Sequence, residues 1–381
     1  MNRIILIGNG FDLAHGLPTR YKDFIDWYWE RWFKTLRKSF KNTESDELCS
    51  FTLKGELFKW NYLIQREISI LNPPKGKNVI DCIKNKPNYY IVKQTPFMEK
   101  VCRSIDTKGW VDIENEFYNI LRSFAQNECP QGYDTPEKLN SELELIKSLL
   151  IEYLVEIQNN QLNNNNNIYP EIENIITEPF DAKDISIEGA SKFYKESQDI
   201  KLNECKPSQI MLLNFNYTKT ADINTSTTSN FIINHIHGEL THPQSIIFGY
   251  GDELDDDYKD LLKLNDNTFL KNIKSIRYLE SDRYRKLLEF IEHTPYQVYI
   301  MGHSCGNSDR TLLNTLFEHK NCISIKPFYY QKTNGSDNYL EIVQNISRNF
   351  TNMKLMRDRV VNKEFGKPSV KAKGNNIEVS V

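Results

Sequence analysis

Four short polar stretches, each directly after a run of aliphatic residues, hold the side chains best suited to chemistry in this 381-residue chain. Gly8-Asn9-Gly10-Phe11-Asp12 follows Ile4-Ile5-Leu6-Ile7, and Asn214-Phe215-Asn216-Tyr217-Thr218 follows Gln209-Ile210-Met211-Leu212-Leu213. His235-Ile236-His237-Gly238-Glu239 follows Phe231-Ile232-Ile233-Asn234. Gly302 to Arg310, with His303, Ser304 and Asp309, follows Tyr296 to Met301. Two glycines one residue apart allow a tight turn and a close backbone approach to a ligand. A helix starting there aims free N–H groups at that ligand, an arrangement that suits phosphate. Asparagine orients hydroxyls or water, and histidine is a base near neutral pH.

These stretches need a scaffold that brings strand ends together. Four consecutive large aliphatics suit a strand buried on both faces, as in a parallel sheet. Beyond residue 207, short β-rich runs at 209–214, 231–237, 245–250, 296–302 and 322–328 are separated by turns or helical stretches, the signature of an α/β layer. Met353 to Val361 reads as a last strand. The expected fold is α/β, a doubly wound, mainly parallel, Rossmann-like sheet with a large helical insertion. Ligands of such sheets bind outside the carboxyl ends of the strands. The domains read as 1–20 with 205–361 for the nucleotide-binding sheet, 21–204 for the helical insertion and 362–381 for a C-terminal tail.

Within the insertion, Ile113, Phe117, Ile120, Leu121 and Phe124 share one helical face, as do Leu143, Ile146, Leu150 and Leu154. Trp27, Trp29 and Trp32 suit either a control surface or buried helix packing. Segments 36–50 and 72–90 read as connections with little core, and Asn159 to Asn167 as a solvated polar loop.

Several functions are excluded at this level. Leu13 occupies the third glycine position of the dinucleotide fingerprint, and the helical, aromatic stretch Tyr21 to Phe33 stands where a dehydrogenase needs its second strand. The net charge of −3, with both signs mixed, gives no broad electrostatic case for binding nucleic acid or an anionic membrane. No apolar run approaches the roughly 20 residues of a membrane span. Asn2-Arg3 leads straight into a strand with no small-residue cleavage site, so a secretory leader is not expected. Seven scattered cysteines (49, 82, 102, 129, 205, 305, 322) without a Cys-x-x-Cys pair fit reduced thiols in a cytoplasmic protein and argue against structural zinc. His235 and His237 share one side of a strand, but no third ligand is spaced to complete a metal site. Each polar stretch also has a purely structural explanation. Asn216 and Asp309 suit helix caps, and the glycines suit a plain strand-turn-helix connection.

Taken in order, IILIGNGFDLAHGLPTRYKDF, WVDIENEF, LLNFNYT, IHGEL and MGHSCGNSD resemble the motifs of the bacteriophage abortive-infection AbiH family over nearly the whole chain. That family in turn resembles sirtuin-type NAD-binding proteins. The resemblance implies a cradle for NAD phosphates and ribose at Gly8, Asn9, Gly10, Phe11, Asp12, Gly16, Leu17 and Pro18. It places a ribose-positioning amide at Asn216, flanked by Asn214 and Thr218, and a catalytic base at His237 beside Gly238. Gly302, His303, Ser304 and Asp309 are then expected on the adenine-side ribose or phosphate. Thr218 departs from the sirtuin pattern, which has Asp there, and the zinc cysteines of protein deacetylases are absent. The implied activity is phage defence by NAD hydrolysis with release of nicotinamide. The alternative is a regulatory protein that senses NAD or a related nucleotide without turnover. An effector of this kind is expected to homo-oligomerise or to await a phage-derived trigger. A nuclease-type toxin has no carboxylate cluster to support it.

Overall fold

The computed structural model describes residues 1–54, 60, 75–126, 132–164, 170–196, 202–223 and 230–369. The chain divides into two compact units. The first comprises Met1–Pro18, Leu154–Lys259 and Asn272–Val381, and the second Thr19–Tyr153 with Asp260–Lys271.

The first unit is built on a six-stranded sheet of β1 (Asn2–Ile7), β2 (Ile210–Asn214), β3 (Phe231–His235), β4 (Tyr296–Met301), β5 (Cys322–Tyr329) and β6 (Lys367–Pro368), in the order β3-β2-β1-β4-β5-β6. Every pairing is parallel, with Ile5 of β1 opposite Leu212 on one side and Tyr299 on the other. The order of strand addition switches sides between β1 and β4, the position at whose carboxyl ends the ligands of such sheets bind.

Both faces of the sheet are apolar for a simple reason. Successive side chains of a strand point to opposite faces, and β1 has aliphatic residues at both parities. Ile4 and Leu6 join Met211, Leu213, Val298, Ile300 and Ile325 in one core with helices Arg283–His293, Arg310–Glu318 and Tyr339–Arg348. Ile5 and Ile7 join Ile210, Leu212, Tyr299 and Phe328 in a second core with helix Pro170–Ile176. Arg3 is among the buried polar residues of the sheet. Its guanidinium, fully buried, donates to Ile176 O, Glu178 O and the Gln297 side chain, and it lies over the rings of Phe180 and Tyr299.

Two segments differ from expectation here. Residues 245–250 form no strand. They follow a single 3₁₀ turn, Pro243–Ser245, and make one bridge at Tyr250, although Ile246, Ile247 and Phe248 are buried. Met353–Arg359 is a helix, because the Asn352 side chain accepts from Lys354 and Leu355 N–H and caps it. The last strand comes later, at Lys367–Pro368, inside the expected tail.

The second unit is not wholly helical. Strands Thr43–Ser45, Cys49–Leu53 and Tyr90–Gln94 form an antiparallel sheet, and Cys49, Phe51 and Leu53 alternate into its core. The segments read as connections therefore contain a packed sheet. Trp29 and Trp32 are buried along helix Tyr21–Lys38, which assigns them to packing. Helix Pro136–Asn164 runs through Asn159 to Asn164 in place of the expected loop, while 165–167 lie outside the described residues. Among the described residues, no helix is long and apolar enough to cross a membrane.

Candidate functional site at the carboxyl ends of the parallel strands

The turn after β1 folds directly against the turn after β4. Gly10 N–H donates to Gly302 O at 2.8 Å and Gly8 N–H to Met301 O at 3.3 Å. A Cβ on Gly8 would lie 2.5 Å from His303 Cα, and one on Gly302, where φ is +75°, would overlap Phe11 N. The Cβ directions of Gly8 and Gly10 therefore face protein backbone. Their small size is needed to join the two strand-end turns. Asn9, beside them, is exposed, while Phe11 is buried and packs its ring 4.4 Å from that of His15. Gly16, Leu17 and Pro18 finish the turn of helix Asn9–Ala14, with Gly16 N–H on Leu13 O and Leu17 N–H on Asp12 O; Pro18 is exposed.

The turn after β2 joins the same assembly. Asn214 is fully buried at the strand end. Its Oδ1 accepts from Asn216 N–H at 2.9 Å and its Nδ2 donates to Thr218 O. Asn216 is thereby held in a side-chain turn rather than at a helix cap, and the short helix begins only at Thr220. The Asn216 Nδ2 then donates to Gly8 O at 2.9 Å. Thr218 Oγ1 donates to Asp12 Oδ2 at 2.7 Å, while Asp12 Oδ1 has no hydrogen-bond partner. Burial pushes the Asp12 carboxyl up to about 6, against the opposing hydroxyls of Thr218 and Thr220.

An acid whose folded pKa is raised binds its proton more tightly folded than unfolded. Its ionisation therefore removes stability as pH rises from about 4 to about 6, and the loss persists above that range. Asp12→Asn removes this penalty, so it should stabilise the protein at pH 7.5 by on the order of 1–3 kcal/mol and flatten stability against pH between 4 and 6. Urea melts of the two proteins across that range check this; equal pH slopes would contradict it.

The third and fourth corners form a buried charged cluster. His237 Nε2 lies 3.3 Å from Asp309 Oδ1 and 3.1 Å from Tyr278 Oη, and His303 Nε2 lies 3.6 Å from Asp309 Oδ2. Lys274 Nζ, also buried, donates to Asp309 Oδ1 at 2.9 Å. Asp309 is the first residue before helix Arg310–Glu318, yet its side chain makes no capping bond, because it faces Lys274 and the two imidazoles. Burial works against its charge, but Lys274 and the imidazoles beside it hold the carboxyl well below the usual range. Burial and the Lys274 charge push the His237 imidazole down, against the opposing pull of Asp309, and so favour its neutral form. Donation of an Nε2 proton to Asp309, the nearest carboxylate, would leave the lone pair of His237 on Nδ1. His303 Nδ1 accepts from Cys305 N–H at 3.0 Å, which places its proton on Nε2.

Phe215 couples the two halves. Its ring stands edge-on to His237 at 5.2 Å and packs 4.1 Å from His303. The glycine turn, Asn216 and the two histidines thus belong to one contiguous network. Gly238 closes the turn behind His237, donating to His235 O. Ser304 is exposed, with its carbonyl taken by the Asn345 side chain, and stands apart from the buried cluster.

Three participants carry no sequence motif. Lys274 and Tyr278 come from a segment without strand or helix periodicity, and Asp222 pairs with His235 at 3.0 Å, fixing the imidazole next to Asn214. Only the fold brings them in. On the other side of the glycine turn lies an apolar crevice, lined by Gly10, Phe11, His15, Met301, Gly302 and Phe328. It sits at the carboxyl ends of β1, β4 and β5. Among the described residues, no group of three or more His, Cys, Asp or Glu side chains is placed to hold a metal ion.

Fold and site together define an α/β protein with an all-parallel sheet whose polar strand-end turns converge on one side. The chain belongs to the AbiH family, described as bacteriophage abortive infection AbiH, which matches residues 4–330. No curated protein and no solved structure matches it.

Proposed function

We propose that this AbiH protein is an abortive-infection effector that binds NAD at the carboxyl ends of the parallel strands and cleaves its nicotinamide–ribose bond. One observation carries the reading: an amide (Asn216) bonded to the Gly8–Gly10 turn and an imidazole (His237) packed on the adjacent Phe215 ring are linked at the strand ends of a sheet ordered β3-β2-β1-β4-β5-β6. That order is the order of Rossmann-like dinucleotide-binding sheets, whose ligands bind at the carboxyl ends where the order switches.

The chemistry is modest in its demands. The C–N bond to nicotinamide breaks with its electron pair leaving on the ring nitrogen, so the ring departs neutral and needs no acid. The ribose passes through an oxocarbenium-like state, as in glycoside hydrolysis. Water then bonds to the anomeric carbon and gives up a proton. In this reading His237 Nδ1 takes that proton, Asp309 holds the imidazole in the required tautomer, and Asn216 orients a ribose hydroxyl or the water.

A second reading, NAD sensing without turnover, is favoured by the burial of His237, only 4 % exposed. Incubating purified protein with NAD and measuring free nicotinamide by chromatography separates the two. Turnover supports cleavage. A rise in melting temperature with NAD but no nicotinamide supports sensing. Neither effect at millimolar NAD would overturn both.

A further inference from the structure

The second unit contains a cavity of about 840 Å³ within its own residues, in the size range of small-molecule sites. Its floor is the edge of the antiparallel sheet at Cys49–Ser50 and Lys93–Thr95, and one wall is helix Pro96–Lys108. The side chains around it are unevenly committed. Of its acids, Asp46 already accepts from Tyr28 Oη and from Leu48 and Cys49 N–H, and Glu47 accepts from Ser141. Lys138 donates to Gly132 O and lies over the Tyr133 ring.

Lys93, Lys100 and Arg103 differ: among the described residues, none is within ion-pair distance of a carboxylate. Lys100 and Arg103 are one helical turn apart and share a face, an arrangement of like charges that costs helix stability unless an anion lies between them. Lys93 projects from the neighbouring strand. The lining carries four cations, Lys93, Lys100, Arg103 and Lys138, against three carboxylates, Asp46, Glu47 and Glu99. In a chain of net charge −3, this is a local positive excess around a concave site. The N-terminus of the helix adds nothing, since Phe97 N–H is taken by Tyr133 Oη and Met98 N–H by Thr95 Oγ1.

We propose that this cavity is a binding site for a small polyphosphate-bearing anion, held by Lys93, Lys100 and Arg103. The site is independent of the NAD reading, because the strand-end residues all belong to the first unit. A ligand here acts on the protein from outside the strand-end cluster, as a regulator does.

The test is isothermal titration of the full-length protein with inorganic tripolyphosphate, which has neither base nor sugar and so does not resemble nicotinamide ribose. Wild type should bind, with affinity falling as salt rises. A Lys93→Gln/Lys100→Gln/Arg103→Gln variant should lose about tenfold per charge-assisted contact removed. All three side chains are exposed, so the variant should keep its far-ultraviolet circular dichroism and melting temperature. His237→Gln should bind tripolyphosphate as wild type does. No binding to wild type, or undiminished binding to the triple variant, would overturn the proposal. Loss confined to the His237 variant would assign the anion to the first unit and overturn it too.

Discussion

Replacing Asp309 by alanine should destabilise the protein by about 3–5 kcal/mol, because removing one partner of a buried ion pair strands the other. Lys274 is only 1 % exposed and its ammonium donates to Asp309. With that carboxylate gone, a cation remains in the core, and His237 and His303 lose the group both of them face. Asp309→Asn retains the shape but not the charge and should be nearly as costly. A compensating Lys274→Met in the Asp309→Ala background should recover a large part of the loss, since a buried pair is often replaceable by apolar side chains of similar volume. Guanidinium melts of the single and double variants measure this coupling. A loss below about 1 kcal/mol for Asp309→Ala, or simple additivity with Lys274→Met, would mean the cluster is hydrated and its charges screened.

His237→Gln should reduce the rate of nicotinamide release by about 10²–10⁴-fold, the usual contribution of a general base. The substitution retains a polar side chain near Asp309 and Tyr278, so circular dichroism should be unchanged. The pH profile adds a readout that a purely structural role would not produce. Burial and Lys274 push the His237 imidazole down from its ordinary value. Its neutral, basic form is therefore already present at pH 7 and is lost only as pH falls below the usual histidine range. Wild-type activity should be flat from pH 7 upward and fall in acid, and the acid limb should vanish in the variant. A rate unchanged by His237→Gln, or an acid limb that survives it, would remove His237 from the chemistry.

Much of the first unit was legible because its strands are unusually apolar. Ile4 to Ile7 announces a strand buried on both faces, and short β-rich runs separated by turns or helical stretches announce β2, β3, β4 and β5. The polar residues directly after these strands were legible for the same reason, since parallel strands deliver their carboxyl ends to one side. The glycines show the limit of such reading. Gly8 and Gly10 signal close approach of something, but sequence does not say that the something is the Gly302 backbone. Buried apolar residues also misled at 245–250, where Gly249 packs against Asn272 and the chain follows a loop although Ile246 to Phe248 are in the core. Met353–Val361 has the aliphatic content of a strand, and the Asn352 cap decides for helix.

Lys274 had no local signal at all. A lone lysine in Asn272-Ile273-Lys274-Ser275 reads as surface charge, since lysine is almost never fully buried unless paired. Its partner Asp309 lies 35 residues on, and only the packing of the strand-end turns makes the pair. The antiparallel sheet of the second unit was missed because its strands are short and rich in polar residues. Only Cys49, Phe51 and Leu53 alternate inward, with Ser50 and Thr52 between them.

The most direct test of the account is a crystal structure of the protein with NAD, using the His237→Gln variant to preserve the ligand. Density should run along the Gly8–Phe11 turn at the ends of β1 and β4, with the nicotinamide ribose beside Asn216 and residue 237. Density confined to the cavity of the second unit, or a strand-end site that stays closed at millimolar NAD, would contradict it.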